Sequence, residues 1–312
     1  MATIRVNGQG LFFSAPAATT ISYSQKSASG TYVSGTLQYE WTGSNLSYTS
    51  GIYTPTGGTV TSFTVKDGLG VEQFSISGVS YQIQANDNFS QLTDIFVKMV
   101  AGSDNWTGTA GNELFVMGEG NDTFDGGAGL DTVQIQNLSS YFSINQVKNG
   151  FTTTFNVPGN RLNGQVDSFT NVERLQFNDK IVALDLDGNA GQAYRLYQAA
   201  FNRTPDKAGL GYWIGQLDKG AENLNHVAAG FVNSAEFKQM YGANISDNTF
   251  LTALYNNVLH RNPDQAGFDY WNGRVAAGMT RSDILASFSE STENIAQVIG
   301  QISHGIEYIP FG

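Results

Sequence analysis

The chain has 312 residues, of which 27 are acidic and 16 are basic, for a net charge of -11. This balance excludes the clustered Lys and Arg that phosphate binding requires, so we expect no nucleic-acid partner. The chain has no cysteine, which excludes disulfides and thiolate metal sites, and no apolar run approaches the roughly 18 residues that a membrane helix needs.

Residues 1–98 are predicted to form a β-rich domain. This region is rich in Ser, Thr and Gly, and up to residue 65 its only charged side chains are Arg5, Lys26 and Glu40. Alternating apolar residues predict strands over 36–41 and 62–65. Apolar residues at helical spacing predict one helix over Phe89–Val100.

Residues 99–187 are predicted to form a second domain, which begins with four nonapeptides in phase: MVAGSDNWT, GTAGNELFV, MGEGNDTFD and GGAGLDTVQ. Position 4 is always glycine and position 8 is always apolar. Position 6 is always acidic, at Asp104, Glu113, Asp122 and Asp131. The glycines permit tight turns, and a single nonapeptide buries its apolar side chain only by stacking on its neighbours. Further strands are predicted over 171–177 and 180–184.

These nonapeptides resemble those of the RTX (repeats-in-toxin) family, whose consensus is Gly-Gly-x-Gly-x-Asp-x-apolar-x. The resemblance implies a short parallel β-roll with calcium-binding nonapeptide turns, in which Ca²⁺ lies between repeats n and n+2. Asp104 and Asp122 would then share one ion, and Glu113 and Asp131 a second. Turn residues whose backbone would complete the oxygen ligands are Gly102, Gly108, Ala110, Gly118, Gly120, Gly126 and Ala128. Only GGAGLD matches the consensus fully, and Glu113 replaces Asp.

The resemblance also implies export by a type I system that reads an uncleaved C-terminal signal. The segment Met1–Gly10 has no apolar stretch of the secretory type. Sites with the affinity of extracellular modules would stay empty inside a cell and fill outside it, so that binding energy becomes folding energy. We therefore expect an extracellular or cell-surface protein exported without an N-terminal signal peptide.

Residues 188–312 are predicted to form an all-α domain with a duplicated helical motif. Apolar residues switch to a period of 3.6 near Gly188, and RTPDKAGLGYW from Arg203 recurs as RNPDQAGFDYW from Arg261. The motif resembles a domain of unknown function found in secreted proteobacterial proteins, often beside RTX repeats.

The motif residues have two interpretations. Similarity to RTX-type surface-layer proteins, which bind cell-surface polysaccharide, makes them a glycan platform of Arg203, Asp206, Tyr212, Trp213, Arg261, Asp264, Tyr270 and Trp271. The other interpretation, which we favour, makes them helix caps and core aromatics.

Catalytic motifs are missing from the sequence. Its three histidines are far apart, and neither a His-Glu-x-x-His nor a Gly-x-Ser-x-Gly motif occurs. We therefore predict a non-enzymatic, calcium-binding structural or adhesive surface protein that forms a homo-oligomer, layer or filament. One alternative is a glycan-binding tether to cell-surface polysaccharide. The second is an extracellular enzyme that degrades polysaccharide or protein and draws on carboxylates such as Glu40 and Glu72.

Overall fold

The protein forms two compact units in the computed structural model, residues 1–179 and 180–312, and each is described by itself. The structure describes residues 3–6, 21–25, 29–34, 37–47, 56–67, 69–83 and 100–311. Apart from its last residue, the helix predicted over Phe89–Val100 lies outside these ranges. The division into domains over 1–98, 99–187 and 188–312 stays a prediction.

The first unit begins with an antiparallel sheet. Its strands are β1 (Thr3–Val6), β2 (Ile21–Gln25), β3 (Ser29–Ser34), β4 (Leu37–Ser47), β5 (Gly57–Lys66) and β6 (Glu72–Gln82). They are hydrogen-bonded in the order β2-β3-β4-β5-β6-β1. Strand alternation buries one apolar face, formed by Tyr39, Trp41, Phe63, Val65, Phe74 and Ile76. Strands β4 and β5 confirm and extend those predicted over 36–41 and 62–65.

Each nonapeptide contributes one short strand. These strands are β7 (Asn105–Thr107), β8 (Leu114–Val116), β9 (Thr123–Asp125) and β10 (Thr132–Ile135). Alternate repeats pair in parallel, β7 with β9 and β8 with β10. Strand β1 pairs in parallel with β7, so the first sheet continues into the odd-numbered repeats.

A hairpin separates the repeats from two further parallel strands. After a 3-10 helix (Ser139–Tyr141) come β11 (Phe142–Val147), β12 (Gly150–Phe155), β13 (Val166–Thr170) and β14 (Arg174–Phe177). Strands β11, β12 and β13 are antiparallel, whereas β13 pairs in parallel with β9 and β14 with β10. Strands β7 and β8 thus form a first layer, β9 and β10 a second, and β13 and β14 a third. The strand predicted over 171–177 begins only at Arg174, because Asn171 has a left-handed backbone with φ of 50°.

The second unit contains a two-stranded antiparallel pair, β15 (Ile181–Ala183) and β16 (Ile306–Tyr308), and eight helices within its described residues. The helices are α1 (Asn189–Phe201), α2 (Lys207–Asp218), α3 (Leu224–Asn233), α4 (Ala235–Tyr241), α5 (Asp247–Asn257), α6 (Gln265–Ala276), α7 (Arg281–Ser289) and α8 (Thr292–Ile302). The second set of four repeats the first, so the predicted duplication is a duplication of a four-helix unit.

Seven of the eight described helices begin at side chains that cap their N-termini, whereas α1 begins after Gly188 without such a cap. The capping residues accept a hydrogen bond from the third residue of the helix, and they are Asp206, Asn223, Ser234, Ser246, Asp264, Thr280 and Ser291. Helix α1 buries one apolar face, which includes Leu196 and Phe201. None of the described helices has both the length and the apolar character needed to cross a membrane.

Candidate metal centre

The nonapeptides place two kinds of side chain in the interior. The apolar residues at position 8 are at most 1% exposed, and they are Trp106, Phe115, Phe124 and Val133. The acidic residues at position 6 are at most 4% exposed, although each carries a carboxylate. Burial of an ionised carboxylate costs several kcal/mol unless hydrogen bonds or an opposite charge offset it. The partners of these carboxylates are therefore the central question about this region.

The two acidic residues of each predicted pair lie in adjacent layers of strands and are joined by a hydrogen bond. The backbone N–H of Asp104 donates to Oδ1 of Asp122 at 2.9 Å. The backbone N–H of Glu113 donates to Oδ1 of Asp131 at 2.7 Å. The acidic residues of repeats n and n+2 thus lie next to each other. Their hydrogen bonds occupy Oδ1 of Asp122 and Oδ1 of Asp131.

The second oxygen of each aspartate is the unusual feature. Oδ2 of Asp122 and Oδ2 of Asp131 are buried and accept no hydrogen bond. Burial raises the pKa of both carboxyl groups to about 7. Nearby acids also raise these pKa values, since Asp104 and Asp167 act on Asp122, and Glu113 and Glu173 act on Asp131. A bound cation would lower the pKa values of both carboxyl groups, because its positive charge stabilises their ionised form.

Glu113 uses its longer side chain to reach back to its own turn. Its Oε2 accepts from the backbone N–H of Thr109, and its Oε1 accepts from the Thr109 hydroxyl, both at 2.8 Å. Its carboxylate therefore has hydrogen-bond donors that Asp131 Oδ2 lacks. With Glu in place of the consensus Asp, the carboxylate therefore accepts hydrogen bonds from Thr109 of its own turn.

The turn residues predicted to supply backbone oxygens lie at close approaches between layers. A methyl group added to Gly120 would lie 2.2 Å from the carbonyl oxygen of Gly102. One added to Gly108 would lie 2.1 Å from the carbonyl oxygen of Gly126 and 2.5 Å from Oε2 of Glu113. Glycine is required here because any side chain would fill the space that these oxygens face.

The remaining predicted turn residues lie nearer the surface. Ala110 and Ala128 are exposed, and the N–H of Ala128 donates to the carbonyl oxygen of Thr109 at 2.9 Å. Gly118 is half-buried, and a methyl group added to it would lie 3.9 Å from Oδ2 of Asp122. Across the described residues, no cluster of three or more His, Asp or Glu side chains is arranged to hold a metal ion. A cation here would thus need main-chain oxygens beside the carboxylates.

Two acidic residues that sequence reasoning missed continue the rows into the third layer. The N–H of Asp122 donates to Oδ1 of Asp167 at 2.9 Å, and the N–H of Asp131 donates to Oε2 of Glu173 at 2.7 Å. The signal in the sequence is the spacing of polar, acidic and apolar residues in Gln165-x-Asp167-x-Phe169, which recurs from Asn171. We name the two series the Asp104 row (Asp104, Asp122, Asp167) and the Glu113 row (Glu113, Asp131, Glu173).

The motif residues of the helical unit bond to one another. Arg203 donates to Glu236 and to the hydroxyl of Tyr197, which donates to Asp206 at 2.5 Å. In the second copy, Arg261 donates to both oxygens of Glu293 and to Asp264. Asp206 and Asp264 also cap α2 and α6, as predicted.

The aromatic motif residues differ in exposure. Tyr212 contacts Trp213 edge-on, and Tyr270 contacts Trp271 in the same way. Tyr270 is 59% exposed and Tyr212 is 36% exposed, whereas both tryptophans are half-buried.

A polar concavity of about 550 Å³ lies among α3, α6 and α7. Its lining includes Asn225, whose amide donates to Asp283 at 2.9 Å, and the exposed Arg274. Glu290 lies at its wall, with its two oxygens held by the buried Arg195 at 2.8 and 2.6 Å. The Asn225 amide and the Glu290 carboxylate are held in place by these hydrogen bonds.

The chain has no match among curated proteins. Residues 188–240 and 228–298 each match the family model described as Domain of unknown function (DUF4214). The helical part of the chain is therefore similar to this domain twice over, in agreement with the duplicated four-helix unit.

Proposed function

We propose that the protein binds Ca²⁺ through its nonapeptide turns and acts outside the cell as a structural or adhesive surface protein. One observation carries the proposal: Asp122 and Asp131 each bury a carboxylate oxygen that accepts no hydrogen bond. These oxygens lie in turns whose sequence resembles RTX repeats, and we propose that the paired strands form a parallel β-roll of that family.

The donor set suits a hard cation that prefers oxygen ligands. The acidic pairs Asp104 with Asp122 and Glu113 with Asp131 would hold the ions, together with carbonyl oxygens such as that of Gly126. Calcium, when bound, supplies positive charge that offsets both the desolvation and the mutual repulsion of these carboxylates. The turns themselves position the oxygens and exclude water.

Extracellular action follows from the affinity expected of such turns. Extracellular calcium modules bind at about 10⁻⁴ to 10⁻³ M, so their sites fill only where calcium is abundant. Binding then adds to the stability of the folded unit. A chain that folds on reaching calcium suits a protein that assembles on a cell surface.

Calorimetric titration of the full chain with CaCl₂, with circular dichroism before and after chelation, tests calcium binding. We expect Asp122→Asn and Asp131→Asn to weaken binding at least tenfold, because each removes a buried carboxylate. Glu119→Gln is the matched control, since it removes the same charge from an exposed side chain of the third repeat that pairs with Arg161. A wild-type chain that gives no heat with calcium, and whose spectrum does not change on chelation, would contradict the proposal.

Assembly is a separate part of the proposal with a separate test. Negative-stain microscopy and light scattering at increasing protein concentration should show calcium-dependent oligomers, layers or filaments. A calcium-loaded chain that stays a monodisperse monomer at high concentration would rule out assembly while leaving calcium binding intact.

Glycan binding by the helical unit is a second candidate, which the polar concavity favours. The carboxylate, amide and guanidinium groups that line the concavity are suited to bonding sugar hydroxyls. A glycan array with the full chain should show retention that Arg274→Ala reduces at least tenfold and that Lys238→Ala, which removes an exposed cation of α4 outside the concavity, preserves. No retention of any glycan would remove this candidate.

A further inference from the structure

Helix α6 has an open face that its counterpart in the first copy of the duplicated unit lacks. The repeated motif aligns α6 (Gln265–Ala276) with α2 (Lys207–Asp218). Helix α2 buries four residues, whereas α6 buries none. Tyr270, which aligns with Tyr212, is 59% exposed. Two helices with the same motif therefore differ in what covers them.

The C-terminal segment of the chain covers α2. The backbone N–H of Ile309 donates to the carbonyl oxygen of Lys207 at 3.0 Å. The ring of Phe311 contacts that of Tyr212 edge-on, with centroids 4.8 Å apart. The carbonyl oxygen of Ile309 packs so closely on Gly211 that a side chain there would collide with it. This face of the duplicated helix is therefore a packing face, which the protein's own C-terminal segment occupies in the first copy.

The corresponding residues of α6 do not allow the same cover. Asp269 stands where α2 has Gly211, so a chain could not lie against α6 as Ile309 lies against α2. Asp269 is exposed, and its carboxylate accepts from the neutral amide of Gln265 at 2.8 Å. The exposed Arg274 follows five residues later and forms no ion pair among the described residues. Helix α6 therefore displays an acid and a base that α2 does not have.

The two charges flank a row of exposed residues at the spacing of a helix–helix contact. Successive members of this row are four, three and four residues apart, as in the contact row of a two-stranded coiled coil. Apart from one tyrosine they are small enough for a second helix to approach closely, and they are Ala266, Tyr270, Gly273 and the C-cap Ala277. Asp269 lies on one flank of this row and Arg274 on the other. These are the flanking positions whose charges pair between helices.

The charges also select the orientation of a second helix. Between two parallel copies of α6, the acidic flank of each helix faces the basic flank of the other, so that Asp269 of each copy meets Arg274 of its partner. Between antiparallel copies, like flanks would face each other and acid would meet acid. Charge complementarity therefore favours a parallel pair.

We propose that α6 is a self-association surface, at which α6 of one copy packs in parallel against α6 of a second copy through Tyr270 and two Asp269–Arg274 ion pairs. The contact is isologous, because both copies use the same surface. This inference rests on the proposed assembly and names one of its contacts. The helix has 12 residues and is about 18 Å long, so we expect a contact area below about 1,200 Å², the range of weak interfaces. A weak contact of this kind suits an assembly in which several contacts act together.

Reversal of the two charges, singly and together, tests the contact. Sedimentation velocity of the full chain in calcium, at increasing protein concentration, measures self-association. We expect Asp269→Arg and Arg274→Asp each to weaken it at least tenfold, because each change brings like charges together. The double variant exchanges the two charges and should restore wild-type association. Lys219→Glu, which reverses an exposed charge at the C-cap of α2, is the matched control and should have no effect.

Disulfide cross-linking provides a second test, which also serves if a charge-reversed variant does not fold. The chain has no cysteine, so each substitution introduces a single thiol. Ala266→Cys lies in the contact row, and Ala208→Cys is its matched control at the equivalent exposed position of α2. Under mild oxidation, Ala266→Cys should form a linked dimer at least tenfold faster, because a disulfide needs Cα atoms within about 7 Å.

The outcomes separate this contact from the wider proposal. A wild-type chain that stays monomeric at every concentration would overturn the proposed assembly and the α6 contact together. Self-association that survives both single charge reversals, or a double variant as weak as the single ones, would overturn the α6 contact alone. Equal rates of cross-linking at positions 266 and 208 would do the same. Calcium binding is measured separately by calorimetry and does not depend on either result.

Discussion

The ring of Phe124 stacks on that of Phe169, with centroids 5.4 Å apart and an interplanar angle of 8°, although a whole hairpin lies between them in the chain. Trp106 stacks on the opposite side of Phe124 at 5.6 Å. The middle ring therefore joins three layers of strands into one core, and its surroundings leave no exposed surface on it.

Removal of this middle ring should destabilise the first unit strongly. We expect Phe124→Ala to lower the free energy of unfolding by about 3–5 kcal/mol, because a buried aromatic side chain leaves a cavity that neighbours fill poorly. Urea unfolding in calcium, followed by tryptophan fluorescence, measures the loss. Val147→Ala, at an exposed position of β11, should change stability by about 0.5 kcal/mol or less. Equal losses for the two variants would contradict the role of the stack.

Stability of the calcium-free first unit should fall as pH rises. Burial raises the pKa values of Asp122 and Asp131 to about 7 in the folded chain, from an ordinary value of 3.8. Between these values the folded state binds more protons than the unfolded state, so its advantage is complete below about pH 4 and is lost as pH rises to 7. Thermal unfolding in chelator should therefore give a lower Tm at pH 7.5 than at pH 5.

Calcium should reverse this dependence on pH, since it binds the deprotonated carboxylates. In saturating calcium, the Tm should be higher at pH 7.5 than at pH 5. A Tm that stays constant across this range without calcium would show that the two aspartates do not carry their raised pKa values.

Glycine at position 4 of the repeats should matter for two separable reasons. Gly102 and Gly129 have similar backbones, with φ of 125° and 129°, but only a methyl group added to Gly129 would meet another layer. A methyl group on Gly129 would lie 2.0 Å from the carbonyl oxygen of Gly111, whereas one on Gly102 meets nothing within 4 Å. Gly102→Ala should cost about 1–2 kcal/mol from backbone strain alone.

Gly129→Ala should cost clearly more, because the strands must also separate. Urea unfolding of both variants in calcium measures the difference. Similar losses would indicate that the layers yield easily at this turn.

The ion pair of Arg195 and Glu290 should stabilise the helical unit more than the exposed pairs of the duplicated motif. Arg195 is 2% exposed, and Arg195→Met leaves the partly buried Glu290 without its partner. We expect a loss of about 3 kcal/mol, at the lower end for a broken buried pair.

Arg261→Met is the matched control, because the side chains of Arg261 and Glu293 are 40% and 39% exposed. Exposed pairs contribute about 1 kcal/mol or less. Thermal unfolding followed by helical circular dichroism compares the two variants, and a larger loss for Arg261→Met would contradict this ranking.

The strict period of nine made the repeat turns predictable from sequence. It predicted which residues are buried, whereas the pairing of the acids was implied by the resemblance to RTX repeats. Asp167 and Glu173 were not predictable in this way, since the hairpin breaks the period and Gln165 and Asn171 replace its glycines. Their roles depend on contacts between residues far apart in the chain.

The helical unit shows the same limit. Its buried faces follow from apolar spacing, and its caps from Asp206 and Asp264. The acid partners of Arg203 and Arg261 could not be read from the motif, because Glu236 and Glu293 lie on other helices. The backbone is more alike than the sequence, since Asn202 and His260 both adopt φ near 50° before the motif arginine.

The insertion of β11 and β12 between the second and third layers has a consequence for synthesis. The repeats are complete once residue 134 has been made, yet β13 and β14, which cover their open edge, come more than 30 residues later. During synthesis, Phe124 therefore stays uncovered on one side until Phe169 has been made.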